Sequence, residues 1–471
     1  MAGLLESVPA PGHPSWWLED VAGDAPDSQG LTGDAAADVA IVGGGYVGLW
    51  SAIELKLREP SIDVAILEAG TCGSGASGRN GGFAMNWWSK IALFAPLLGD
   101  EEGVSLARAS VEGLDEIGQF VADHGIECDF FKGGWIWTAA SGSQLGAWKS
   151  TSDECRRLGV SPFRELDPSE VARRTGSRVH IAGIFDPEIA KVHPAKLVRG
   201  LRRVALEMGV RIHENTPVLG IARESPARLR TRHGVMTAPK AVVATNAWAA
   251  GMPEFRRRIV AIASDMIVTE PMPDRLAGIG WTGGECVSDS QALLHYYRTT
   301  ADGRVAFGQA GGSVALGGRV GPGFYRSPRR RCEVEAAFRR LYPDLAGSEV
   351  VSDWGGPIDR GLTGLPIIGH TNSAGNIVHA LGWSGNGVGP SRLGGKFVAS
   401  LVQERDDEWT RSPLVDFEHP AFPPDPFRYL GAKAVRAAVA SKERAELEGR
   451  EPGRLVRALA AQVPSGLIPK E

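Results

Sequence analysis

The sequence predicts an α/β protein: a Rossmann-like, dinucleotide-binding domain joined to a second α+β domain with a mainly antiparallel sheet. Three observations predict it. DVAIVGGGYVGLWSA, beginning at Asp38, runs from an apolar strand through glycines into a helix. A second apolar strand, 62–67, closes on Glu68 and completes a βαβ unit. Between 256 and 350 the strand candidates RIVAIASDMIVTE, ALLHYYRTT and RVAFGQAGG succeed one another, as in an antiparallel sheet.

At 471 residues the chain exceeds one simple core, so two lobes are expected. Its 61 glycines exceed the usual ~7%, which predicts many tight turns and places where backbone approaches a ligand. A net charge of −4 gives no reason to expect nucleic acid or an anionic membrane as partner. Cys72, Cys128, Cys155, Cys286 and Cys332 are scattered without a CxxC pair, so neither a metal site nor a disulfide frame is expected. The N-terminal stretch lacks the basic-then-apolar order of a signal peptide, and no run reaches ~18 apolar residues. A cytoplasmic protein is the expectation.

Residues 1–36 read as an arm, pinned to the body by Trp16 and Trp17. The first domain is expected to be discontinuous, built from 37–90, 185–255 and 353–405. It contains a helix at 46–58 ending before Pro60, and another between Pro194 and Gly209. Strands are expected at about 210–214, 218–222 and 227–232, and at 240–248 in KAVVATNAW. The second domain takes 91–184, with a strand in GGWIWTAA (133–140), and 256–352. Residues 406–471 form a helical extension whose charges read as a solvated face; a homo-oligomer contact is the other reading.

Gly43, Gly45 and Gly48 match G-x-G-x-x-G between strand and helix. The first permits the turn, the second lets a pyrophosphate reach the backbone, and the third lets helix and strand pack closely, with the helix N-terminus facing the phosphates. Glu68, twenty residues after Gly48, is placed for a ribose hydroxyl and argues against a 2′-phosphate. The next stretch of chain, AGTCGSGASGRNGGFAMNWW, is a backbone-donor loop long enough to cradle a three-ring cofactor. Arg79 can neutralise a pyrophosphate there, and Ser77, Asn80, Gly81 and Gly82 can meet ribityl and ring edges.

EAGTCGSGASGRNGG, ATNAW and the late GWSGNGVGPSRLGG resemble the FAD-dependent amine and amino-acid oxidases: D-amino-acid oxidase, glycine oxidase, sarcosine oxidase and especially the gamma-glutamylputrescine oxidase-like branch. The resemblance covers roughly 35–405. It implies a glutathione-reductase-type FAD-binding domain holding non-covalent FAD. Gly43, Gly45, Gly48 and Glu68 would take the ADP half, and Ser77, Gly78, Arg79, Asn80 and Gly81 the pyrophosphate and flavin. Val218 would meet adenine through its backbone. Thr245 and Asn246 would sit beside the cofactor, and Gly382, Trp383, Ser384, Gly385, Asn386, Gly387 and Val388 under the ring. In the sarcosine oxidase branch a cysteine tethers the flavin; Gly356 stands near that place here. The lysine of that branch's C-terminal loop is replaced near Gly389.

The reaction implied is oxidation of a C–N bond of an amine or amino acid to an imine, which hydrolyses to a carbonyl compound, with molecular oxygen reduced to hydrogen peroxide. A dehydrogenase using another acceptor and an NAD-dependent dehydrogenase are the alternatives. No catalytic side chain is assigned; His193, His295 and His370 read as structural. The substrate-binding candidates are Tyr296, Tyr297, Arg298, Gln309 and Trp354. On a strand Tyr296 and Arg298 share one face, His295 and Tyr297 the other. Trp87 and Trp88, with Trp354, are candidates for the wall of an amine pocket.

Overall fold

The computed structural model describes residues 12–24 and 29–463. The ends of the expected arm and extension, 1–11 and 464–471, and the arm's 25–28 lie outside the described residues.

A six-stranded sheet runs in the order Ile367–His370, Ile377–Leu381, Lys240–Val243, Val39–Val42, Val64–Leu67, Arg211–His213. All its pairings are parallel except the hairpin of the first two strands. Val39–Val42 and Val64–Leu67 are buried throughout, which explains their unbroken apolar composition. Helix Tyr46–Arg58 starts from Gly45 and stops before Pro60; Tyr46 through Lys56 are all buried. It packs against helix Ser391–Val402 so closely that a Cβ on Gly395 would lie 2.8 Å from the Trp50 carbonyl carbon. Beside this layer stands a four-stranded sheet, Ala35–Ala36, Val235–Ala238, Ala227–Arg230 and Gly220–Ala222.

The second domain rests on an eight-stranded sheet in the order Val350–Arg360, Val260–Thr269, Val305–Gln309, His295–Thr299, Cys286–Ser288, Trp135–Ala139, Ala182–Asp186, Arg164–Leu166. It is antiparallel except where Cys286–Ser288 meets Trp135–Ala139. Strand Val350–Arg360 corrects the expected boundary at 353: it pairs along its length with Val260–Thr269, and only the turn beyond it returns to the first sheet. Inside this strand, Gly355 and Gly356 let neighbouring backbone and Arg79 approach. The strand expected at 240–248 ends at Val243, because Asn246 takes a positive φ of 49° and opens the 3₁₀ turn Asn246–Gly251.

The N-terminal helix Trp16–Asp20 is capped by Ser15 and buries Trp17 against Trp354 and His193. The C-terminal helix Phe427–Leu447 corrects the expectation of a solvated tail: Arg428, Ala438, Val439, Glu443 and Ala445 are buried.

Candidate functional site

One continuous cavity of about 840 Å³ lies between the two domains. Its lining takes in Gly43, Gly45 and Glu68, then Trp383, Ser384, Gly385, Asn386, Gly387 and Val388, and also Ser77, Asn80, Gly81, Val218, Thr245 and Gly356. Two segments more than 300 residues apart therefore face one space, because strands Val39–Val42 and Ile377–Leu381 both border Lys240–Val243 and end on the same side.

The glycine turn leaves no room for side chains. Gly43 has φ +111°, and a Cβ there would lie 2.6 Å from the Ala244 carbonyl oxygen; one on Gly48 would overlap the carbonyl of Gly43. Gly45 opens the helix, and the Tyr46 N–H donates to Ser77 Oγ at 2.9 Å. Glu68 accepts from Gly44 N–H at 2.7 Å and Gly70 N–H at 2.9 Å. Burial raises its carboxyl above the ordinary range, with nearby Glu214 adding to the rise against those two N–H bonds.

Arg79 needs correcting. Its guanidinium lines the cavity but donates to the carbonyls of Ser74 (2.8 Å), His13 (2.7 Å) and Gly355 (3.1 Å) and lies over the Tyr325 ring. It ties the arm, the cradle loop and the large sheet together rather than waiting for a phosphate, and burial lowers its pKa to about 10. Asn80 is likewise knotted into the loop, donating to Ala76 and Ser77 carbonyls and accepting from Gly82 N–H.

At the far end the glycine loop hangs on a residue missing from the sequence-derived candidates. Asp359, at the end of the long strand, accepts from Gly382 N–H at 2.5 Å and Ser384 N–H at 3.3 Å. Burial pushes its carboxyl up to about 6. Arg360 lines the cavity and donates to the Ser384 carbonyl at 2.9 Å. Gly382 itself faces Ile367, away from the cavity lining.

Of the five substrate candidates, Tyr296 alone is in the cavity wall, its hydroxyl 2.7 Å from Ser264 Oγ. Tyr297 is buried on the opposite face, against Phe307 and His180. Arg298 shares the face of Tyr296 but donates to the Gly81 (2.7 Å) and Val192 (2.6 Å) carbonyls under the Trp17 ring. Gln309 accepts from Arg330, and Trp354 donates to the Arg79 carbonyl. Trp87 and Trp88 are core residues, Trp87 against Phe94. Beside Trp248 and Trp383, the cavity's lining instead includes Trp135 and Trp137, stacked with centroids 5.5 Å apart. Their i, i+2 spacing in GGWIWTAA was the available signal.

The same wall carries Ser288, Asp289, Ser290 and Gln291. Burial works against the charge of Asp289, but His295 at 2.6 Å and the N–H groups of His295 and Gln291 hold its pKa below the ordinary range. Lys90 also lines the cavity; burial, with Arg360 nearby, brings its ammonium down to about 7. His193 caps a helix through Nδ1, and His370 pairs with Asp416. Among the described residues no cluster of metal-ligating side chains occurs, and no helix is long and apolar enough to cross a membrane.

The residues present fit a dinucleotide with a polar, ring-bearing end. The glycine turn excludes any Cβ, and Thr245 Oγ1, Asn246 Oδ1, Trp248 Nε1 and Asn386 Oδ1 are buried at the cavity without a protein partner. Asn246 and Ser384, on opposite sides of it, both hold a left-handed backbone.

Comparison with known proteins agrees. Residues 38–401 match the family described as DAO, FAD dependent oxidoreductase. Gamma-glutamylputrescine oxidoreductase of Escherichia coli K12 is 31% identical over 408 residues, 85% of this chain and 92% of that protein. Glycine oxidase of Geobacillus kaustophilus is 26% identical over 395 residues, 80% and 96% of the two chains. The crystal structure of glycine oxidase from that organism superposes with a TM-score of 0.66 at 23% identity, over 82% of this chain and 100% of the other. Fold and site thus define a flavoenzyme. The chain belongs to the DAO family of FAD-dependent oxidoreductases and is of the amine and amino-acid oxidase type, which removes the NAD-dependent alternative.

Proposed function

We propose that the protein oxidises a C–N bond of a small amine or amino acid to an imine, which water converts to a carbonyl compound. The observation that carries this reading is one cavity lined together by the glycine turn, the loop 383–388 and an aromatic and acidic wall. Gly43, Gly45, Gly48, Glu68 and Val218 hold the adenosine and phosphate half of FAD; Ser77, Asn80, Gly81, Thr245 and Asn246 take the middle. The N–H groups of Gly385, Gly387 and Val388, in the loop steadied by Asp359, would be left for the flavin end and would favour negative charge there. Bound FAD would supply the hydride acceptor, with molecular oxygen as the final acceptor and hydrogen peroxide as its product.

The chain's own groups orient the amine. Trp135 and Trp137 would meet a cation through their rings, and Asp289, buried and bonded to His295, lends the same lining a negative field, an arrangement suited to an ammonium. Tyr296, Ser288, Ser290 and Gln291 supply hydrogen bonds. Lys90, poised near neutrality, gives the cavity a group able to accept the proton that an ammonium must lose before its neighbouring carbon gives up hydride.

The test is anaerobic mixing of the holoenzyme with gamma-glutamylputrescine, putrescine, glycine, sarcosine and proline, then readmission of air with a peroxide assay. Bleaching by one of them, with colour and peroxide returning together, is expected. Colour that stays bleached in air, returning only with an added dye, means a dehydrogenase instead. Failure of every amine to bleach a flavin that dithionite reduces overturns the reading.

A further inference from the structure

Residues 427–463 lie outside the 38–401 matched by the family, yet they reach the back of the substrate wall. The wall segment Asp289–His295 has two sides. Asp289, Ser290, Gln291 and Leu294 line the cavity. Leu293 points the other way, into an apolar cluster with Ala438 and Val439 of helix Phe427–Leu447 and Ala460 of helix Arg454–Ala460. At its centre Glu443, 8% exposed, accepts the Leu293 N–H on Oε1 at 3.1 Å. A second tie lies alongside: Arg436 donates to the Gly311 carbonyl, and Gly311 packs against Leu293.

A carboxylate buried in an apolar helix contact is costly unless it does something a leucine cannot. Here it satisfies a backbone donor in a segment with no strand partner of its own between the end of Cys286–Ser288 and the start of His295–Thr299. The segment's other hydrogen bonds are to Asp289 itself, to the Leu294 carbonyl through Ala310 N–H, from Ser290 N–H to Gln144 Oε1, and from Ser290 Oγ to the Thr138 carbonyl. Without Glu443 the outer side of 291–293 keeps its apolar contacts but loses the hydrogen bond that fixes the Leu293 N–H.

We propose that the C-terminal helical hairpin is a buttress for the substrate wall, and that Glu443 is a positioning residue that fixes Leu293 and so sets where Gln291 and Leu294 stand against the bound amine. Because no atom of Glu443 faces the cavity, its effect falls on substrate affinity rather than on the flavin. The proposal rests on the amine-oxidising reading for its substrate, but not for its mechanics.

The experiment compares the wild-type holoenzyme with Glu443→Ala and Glu443→Gln. Hydrogen exchange read by mass spectrometry is expected to show the peptide across 289–295 exchanging about tenfold faster in Glu443→Ala, with strand Val350–Arg360 unchanged. With whichever amine bleaches the wild-type flavin, KM rises about tenfold while the limiting reduction rate stays within about twofold and FAD content is equal. Glu443→Gln, which keeps an acceptor, restores both. Wild-type exchange at 289–295 in Glu443→Ala overturns the proposal whatever the substrate. Equal losses of KM and kcat together with loss of FAD, not rescued by glutamine, overturn it in favour of a merely structural helix. If no amine bleaches even the wild-type flavin, the functional reading fails and the exchange measurement still decides this one.

Discussion

Arg298 donates to two backbone carbonyls beneath the ring of Trp17 and is 3% exposed. Removing it leaves buried acceptors unmet, at about 1–3 kcal/mol. Arg298→Met is therefore expected to lower Tm by several degrees while leaving the relative rates with carboxylated and uncarboxylated amines unchanged, which a substrate panel will show. Gly48→Ala places a methyl against the Gly43 carbonyl and is expected to yield protein without bound flavin, read as the loss of visible absorbance after purification. Asp359→Ala frees the N–H groups of Gly382 and Ser384 and is expected to weaken FAD retention at least tenfold, measured by fluorescence titration of the apoprotein. Residue identities alone marked the glycines well, since nothing else fits such a turn. They marked the arginines badly: Arg79 and Arg298 are cations whose ligands are carbonyls contributed by segments far along the chain, and no local pattern announces a carbonyl.

Helix Tyr46–Arg58 was legible to the residue because a glycine precedes it and Pro60 ends it. Helix Phe427–Leu447 was legible as a helix but not in its burial. Its partner Leu293 is 150 residues away, and a helix rich in charge reads as solvated until that partner is seen. Burial, with Asp289 nearby and only partly offset by the Leu293 N–H and Lys442, raises the Glu443 carboxyl from 4.5 to about 7. The folded protein therefore binds this proton more tightly than the unfolded chain does. Stability from this group is fullest below about pH 4.5 and is lost as pH rises through about 7. Glu443→Gln is expected to leave Tm unchanged near pH 5 and to raise it at pH 8, by at most about 3 kcal/mol of stability, as calorimetry at the two pH values will show. The long strand Val350–Arg360 was cut at 353 for a different reason: only its pairing with Val260–Thr269, distant in sequence, shows which sheet it joins.

At the scale of the molecule the two-part architecture was readable from the alternation of strand and helix grammar, and glycine spacing picked out two segments that line one cavity. Trp135, Asp289 and Lys90 were not picked out, since they come to that lining only through the pairing of Cys286–Ser288 with Trp135–Ala139 and the packing of the turn before Ile91. A ligand held between both domains stabilises them jointly. Stripping FAD is expected to lower Tm, and adding it back at a thousandfold excess over Kd to restore about 4 kcal/mol, measurable by thermal shift against FAD concentration. The central strands come from 39–42, 240–243 and 377–381. A ribosome must therefore deliver the polypeptide as far as Val388 before FAD has both of its grips. The vitamin-derived cofactor would be loaded only past that point of synthesis, and a message cut short upstream of it is expected to make a colourless product.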